Sequence, residues 1–289
     1  MGGAMAQNLL AQGWQVRVCD KVSERAKLLQ PLGAVACAQP AAAAIGALAV
    51  VVCVVDAAQT QEVLFGAGGV ADVLHSGQAV MLCPTMGPPD TERLASQLAQ
   101  RGIDTIDAPM SGGPSRARDG SMSLMVACTD ALFARHEPLI RALSSNVFRI
   151  SERVGDGART KLVNNLLAGI NLAGAAEALA LAQRMGLNPA RTLDVIERSS
   201  GQSWIGSDRL RRAVAGDAAQ HAHMTLLEKD TRLAVEAARQ LGFAGELGPL
   251  VRDLFAQASA AGLAASDDSA LFNWWLARNP LSEPHGSPL

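Results

Sequence analysis

The 289-residue sequence predicts an α/β protein: a doubly wound, mostly parallel sheet, then a long connecting helix and an all-helical second domain. Three observations carry this prediction. Up to about residue 150, short apolar strands alternate with helical segments, the pattern of a parallel sheet covered on both faces. From Gly157 to Met185 no breaker interrupts the chain, and beyond it the strand-like runs stop. The opening "MGGAMAQNLLAQGWQVRVCD" reads as a helix, Ala4 to Ala11, then a strand, Trp14 to Cys19, with glycines ahead of the helix. That is the second half of a strand–turn–helix–strand unit.

In chain order, the clearest strands are "WQVRVCD", "LAVVVCVVD", "QAVMLCP" and "IDTIDAP", with a helix over Thr91 to Arg101 between the last two. The apolar run Ala41 to Val55 is too short for a typical membrane span and changes from Ala-rich to Val-rich; it predicts a helix end feeding a buried strand. "MSLMVAC" and "NVFRI" are further strands flanking a helix over Asp130 to Leu143. "GARTKLVNNLLAGINLAGAAEALALAQRM" predicts one helix of roughly 40 Å closed by Gly186. Its stretch from Leu162 to Leu181 is apolar nearly all round, which predicts burial on most sides. Asn188-Pro189 supplies an N-cap followed by proline at the first helical position. "MTLLEKDTRLAVEAARQLG" is a long amphipathic helix closed by Gly242, and "DDSALFNWWLAR" starts another. The domains are expected at 1–152 and 153–289, without internal repeats or a low-complexity linker.

Composition narrows the classes of function. With 49% apolar and 18% charged residues the chain is a folded globular protein, and Ala and Gly are abundant, so its core must close through small residues and tight helix contacts. A net charge of −2 without a basic block points away from nucleic acid and anionic membranes. Cys19, Cys37, Cys53, Cys83 and Cys128 form no C-x-x-C pair and read as buried small hydrophobes in a reducing compartment. His221 and His223 are two apart, a spacing that splits them on a helix, so no metal site is expected. With no signal peptide or myristoylation pattern in view, a cytoplasmic location is expected.

Several polar groups sit where chemistry needs them. Lys161 and Asn165 are one helical turn apart, with Asn164 beside them, at the start of the apolar helix. A lysine at a random helix position is a solvated charge; here its neighbours would cost desolvation unless something polar lies opposite. A poorly hydrated amine gives up its proton more readily and can exchange one with a substrate oxygen. In "DAPMSGGPSRA" a strand ends at Asp107, and Ser111-Gly112-Gly113 follows as a turn. Its backbone N–H groups and hydroxyl can hold a carboxylate, although S-G-G alone is more often a plain turn. Ligands of open α/β sheets bind beyond the carboxyl ends of strands, which favours this position. Asp20 ends a strand roughly twenty residues after the glycines, the place of an acidic residue that accepts hydrogen bonds from an adenosine ribose; a turn aspartate is the equal alternative. Lys229-Asp230 reads as a site pair or an exposed surface pair.

Four blocks in this order, "MGGAMAQNLL" with Asp20 downstream, "DAPMSGGP", "GDGARTKLVNN" and "LLEKDTRLA", resemble the β-hydroxyacid dehydrogenases, the family of 3-hydroxyisobutyrate dehydrogenase. The resemblance covers almost the whole chain and implies a Rossmann-type first domain and reversible hydride transfer between NAD, with NADP as the alternative, and a β-hydroxy acid. It implies Lys161 as acid/base, Ser111, Gly112 and Gly113 on the substrate carboxylate, and Asn165 placing a substrate oxygen. It implies cofactor contacts from Met1, Gly2, Asp20, Val55, Asp56, Thr85 and Lys229, no metal, and a homodimer or homotetramer built through the helices. "PTMGP" carries Pro84 and Gly87 where relatives carry serines, which weakens the assignment of Thr85. "GQSWIGSDRL" and "SDDSALF" look most similar to the L-threonate branch, so a four-carbon sugar acid is the expected substrate. Trp204 in the first of these fits a packing role and a pocket role equally.

Relatives open with a strand and a G-x-G-x-M-G turn, of which Met1-Gly2 resembles the last two residues. A start assigned too late is therefore expected, with a sheet lacking its first strand. The alternative functions are an imine reductase on the same scaffold, which the presence of Lys161 disfavours, and a cofactor-binding scaffold without turnover.

Overall fold

The computed structural model describes residues 1–217, 219 and 221–279. The chain divides into two compact units, Met1–Leu162 and Val163–Leu289. The boundary falls inside the long helix Asp156–Arg184 rather than ahead of it.

The first unit opens on the helix Gly2–Ala11 and contains eight strands among the described residues: β1 (Arg17–Val18), β2 (Val35–Ala36), β3 (Ala49–Val52), β4 (Ala79–Leu82), β5 (Asp104–Asp107), β6 (Met110–Ser111), β7 (Ser123–Ala127) and β8 (Asn146–Ser151). β3, β4 and β5 are parallel neighbours; β7 joins β5 antiparallel through Asp107 and Ala127, and carries β6 antiparallel and β8 parallel. β1 and β2 form a separate parallel pair, and no described strand bridges it to the main sheet.

The apolar strand runs follow from burial on both faces. In β4, Ala79 and Met81 join one core with Ile106, Leu124 and Leu139, while Val80 and Leu82 join the other with Val52, Leu94 and Leu98. Alternate residues point to opposite faces, and both faces are covered by helices, so neither position tolerates a polar side chain. The helix Asp130–Leu143 stands where the sequence places it, whereas the helix expected over Thr91 to Arg101 runs from Pro88 to Ala99, with proline at its first positions. β1 is shorter than the alternation Trp14 to Cys19 predicts, spanning Arg17–Val18 in a two-residue ladder with β2. Burial also fails for Cys19, which is exposed, while Cys83 and Cys128 are buried and Cys37 and Cys53 partly so; all five are free thiols.

The second unit packs the helices Pro189–Glu197, Trp204–Val214, Met224–Gln240, Leu247–Ala258 and Leu271–Arg278 against the long helix around Leu172, Ala176, Leu179 and Phe255. Asn188 caps its helix, Oδ1 accepting from Arg191 N at 3.1 Å. Small residues do permit close approach: a Cβ on Gly169 would lie 2.8 Å from Thr231 Cγ2. The expected burial on most sides of the long helix is not found. Val163, Leu167 and Leu181 are 71%, 56% and 56% exposed, because its neighbours cover one face and leave an apolar stripe at helical spacing.

Candidate active site

In the first unit several candidate residues follow the carboxyl ends of strands. Val55-Asp56 follows β3, Thr85 follows β4, Asp107 ends β5 with Ser111 four residues on, and Asp20 follows β1. Gly2 lies against the chain leaving β3: a Cβ there would sit 3.3 Å from Cys53 Cβ, so the helix start abuts that strand end. The first turn of the helix Gly2–Ala11 has no acidic residue and no side-chain cap. Its leading N–H groups, without intrahelical acceptors, form a positive pole suited to a phosphate. An uncapped helix start beside the end of β3 is an arrangement that a dinucleotide phosphate fits.

Gln59, which sequence reading missed, fixes the Val55-Asp56 loop from both sides. Its N–H donates to Asp56 Oδ1 at 2.8 Å, and its Oε1 accepts from Val55 N at 3.1 Å. Asp56 is thus the N-cap of the helix Ala57–Phe65 as well as a loop residue. Asp20 is exposed and accepts from Val22 N at 2.9 Å through Oδ1, a turn that also holds the carboxylate at the end of β1.

Ser111 pairs with Ser123 of β7. Gly112 and Gly113 follow with φ of 128° and 76°, values that L side chains rarely adopt. A Cβ on Gly112 would lie 3.0 Å from Arg116 Cδ, whereas one on Gly113 would meet open space. The turn is therefore bare backbone, able to bring N–H groups close to a small anion.

Lys161 is 6% exposed, far from the solvated state of an ordinary helical lysine. The helix that carries it is anchored by Asp107, whose Oδ2 accepts from Gly155 N at 2.8 Å and Ala158 N at 3.1 Å. Burial pushes the Asp107 carboxyl up to about 6, against the pull of these N–H groups. Asp156, in contrast, is held down to about 2 by hydrogen bonds from Arg153 and Ser151.

In the second unit, Asn165 is buried and donates through Nδ2 to Asp230 Oδ2 at 2.5 Å, while its Oδ1 accepts from Asn164 Nδ2 at 3.0 Å. Asp230 Oδ1 lies 3.0 Å from Lys229 Nζ, with side chains only 8% and 15% exposed. The surface-pair reading of Lys229-Asp230 is thereby corrected: the pair is buried because this face of the helix Met224–Gln240 packs inward. Asp230 joins two predicted site residues, and its only sequence signal was its place beside a lysine in an amphipathic helix.

Trp204 is half exposed, not core, and Arg209 lies 5.9 Å from its ring centroid. Arg209 pairs with Asp268 at 2.7 Å, which joins "GQSWIGSDRL" to "SDDSALF", and Arg212, two residues beyond the first segment, pairs with Asp267 at 2.8 Å. Burial raises the Asp268 carboxyl to about 6 despite Arg209. Among the described residues, no three His, Cys, Asp or Glu side chains converge as metal ligands.

Residues 1–151 match the model of the NAD-binding domain of 6-phosphogluconate dehydrogenase, and residues 155–275 the model described as NAD-binding of NADP-dependent 3-hydroxyisobutyrate dehydrogenase. The chain is 36% identical over 271 residues to an L-threonate dehydrogenase of Cupriavidus necator, covering 94% of this chain and 91% of that protein. A crystal structure of 3-hydroxyisobutyrate dehydrogenase from Salmonella typhimurium superposes with a TM-score of 0.88 at 35% identity, over 94% of this chain and 95% of that one. Psf3, solved with NADP+ and 2-OPP, superposes with a TM-score of 0.89 at 29% identity, over 95% and 96%.

Proposed function

Because this chain belongs to the β-hydroxyacid dehydrogenases, NAD(P)-dependent oxidoreductases, we propose that it oxidises a four-carbon sugar acid of the L-threonate type, with Lys161 as the acid/base. The burial of the Lys161 amine carries this reading. The nicotinamide, when bound, supplies hydride transfer. The protein's own residues bind the acid and move its proton. Ser111, Gly112 and Gly113 bind the substrate carboxylate with hydroxyl and backbone N–H donors, which a turn without side chains leaves accessible. In oxidation, Lys161 Nζ, as the neutral amine, accepts the proton of the substrate hydroxyl; in reduction it returns it. Asn165, whose amide donates to Asp230, is assigned a substrate oxygen, and Lys229, paired with the same carboxylate, a cofactor contact.

The Asp20 carboxylate favours NAD, since its charge repels a 2′-phosphate. The apolar stripe of Val163, Leu167 and Leu181 supports a homodimer or homotetramer through the second unit. The free thiols support a reducing, cytoplasmic setting.

The test is NADH production from L-threonate, 3-hydroxyisobutyrate and glycerate by the full chain. Highest kcat/KM with L-threonate supports the proposal; turnover of none of the three contradicts it.

A further inference from the structure

We propose that Asp107 is a positioning residue for Lys161, its carboxylate fixing the first turns of the lysine helix against the end of β5, from which the Ser111-Gly112-Gly113 turn also departs. The inference rests on the acid/base reading of Lys161.

The carboxylate is 1% exposed and sits between β4 and β7, opposite Leu82 and Ala127 in the ladders. It accepts from Gly155 N and Ala158 N through one oxygen, and from the Gly157 backbone as well. The helix is pressed onto it at a position only glycine can occupy. A Cβ on Gly157 would lie 2.7 Å from Met125 O and 2.9 Å from Asp107 Cγ. Gly155, with φ of 99°, delivers the chain to this point. Lys161 is three residues beyond Ala158 on a stiff helix, so a shift at the clamp moves the amine with it.

On the strand side, Ala108 N donates to Leu82 O at 2.9 Å, and Pro109 O accepts from Met125 N at 3.0 Å. The path from Asp107 to Ser111 is therefore also pinned. One carboxylate fixes the distance between the turn proposed for the substrate carboxylate and the amine proposed for its hydroxyl proton. A plain helix cap would act on stability alone; this linkage acts on the alignment of reacting groups, where a displacement of about 1 Å can cost about a hundredfold in rate.

The clamp works through the ionised carboxylate. Protonation converts one acceptor into an O–H donor facing N–H donors, and the helix start loosens. Among the described residues, titratable and charged groups facing Asp107 include Asp156 on the helix, Cys83 after β4 and Cys128 after β7, the last with Arg149 on its sulfur. Burial raises both thiols above their ordinary value, and Asp156 is held near 2. Asp107 is the carboxyl of this cluster that burial pushes up to about 6.

The experiment compares wild type, Asp107→Asn, Asp107→Ala and Lys161→Ala, using NAD and the best acid among L-threonate, 3-hydroxyisobutyrate and glycerate. The Gly155 and Ala158 amide signals are followed by NMR against pH in parallel. The wild-type kcat is expected to fall below pH about 6, with both amides titrating at the same midpoint. Asp107→Asn keeps the shape without the charge; it should lose that limb and that titration, with kcat down about tenfold or more and KM changed less than about threefold. Should Asp107→Ala fail to fold, the isosteric variant still decides. Wild-type kcat and an unchanged acidic limb in Asp107→Asn, with Lys161→Ala inactive, overturn this proposal alone. A fully active Lys161→Ala overturns the acid/base reading, and with it the service of Asp107 to that amine, even where the amides titrate.

Discussion

The Asn165 side-chain amide donates to Asp230 Oδ2 across 2.5 Å, and the other oxygen of that carboxylate lies 3.0 Å from Lys229 Nζ. Asp230→Ala removes the acceptor of a buried amide and the carboxylate beside a nearly buried ammonium at once. Urea unfolding should show a loss of about 3 kcal/mol, whereas Asp230→Asn, which keeps an acceptor, should lose less. A loss below about 0.5 kcal/mol for the alanine variant would mean that the pair behaves as a solvated surface bridge.

The two glycines of the Ser111 turn should differ in kind. Gly112→Ala combines a φ of 128° with a 3.0 Å approach to Arg116, while Gly113→Ala carries only the strain of a φ of 76° in open space. Gly112→Ala should cost about 2 to 3 kcal/mol of stability and Gly113→Ala about 1 kcal/mol, read from denaturation midpoints. Equal losses would show that the contact with Arg116 relaxes away. For the proposed carboxylate site, KM should rise in both variants with kcat less affected.

Stability should fall, not rise, as the pH climbs from 4 to 7 through the range where Asp107 ionises. Its folded pKa, about 6, lies above the ordinary 3.8, so the native state holds that proton more tightly than the unfolded chain. The contribution is complete below the unfolded value and is lost as pH rises through the folded one. It amounts to about 3 kcal/mol between these limits, with Asp268 adding the same sign. Urea unfolding at several pH values checks this. In Asp107→Asn the slope should flatten by about that amount; an unchanged slope contradicts the assignment. The charge proposed to align Lys161 is therefore held at a cost in stability.

Cofactor choice offers a separate check. Asp20→Ala should leave the fold intact, because the residue is exposed, and should lower the ratio of kcat/KM with NAD to that with NADP by about tenfold. A ratio that does not move would place the 2′-position away from β1.

Much of this molecule is legible in the sequence because its signals are periodic or local. β4 reads as a continuous apolar run because its residues serve two cores, and Asn188-Pro189 marks a helix start through capping chemistry alone. β2 and β6, two residues each, leave no period to detect. The stripe through Val163, Leu167 and Leu181 misleads for the opposite reason: apolar side chains predict that a face is covered, not that the same chain covers it. Among the candidate residues, Lys161, Asn165 and the Ser111 turn are legible from residue type and position. The carboxylates bonded to the lysine helix, Asp107 and Asp230, are single residues whose meaning depends on packing across 48 and 65 residues of sequence. Only the fold brings such pairs together.

The most direct test of the central claim is the kcat of Lys161→Ala with the best hydroxy acid and NAD, alongside NADH binding followed by fluorescence. We predict a loss of about a hundredfold to ten-thousandfold in kcat with cofactor affinity unchanged, and partial recovery on adding a small primary amine. A variant that keeps its kcat within about threefold of wild type would contradict the assignment of the substrate proton to this buried amine.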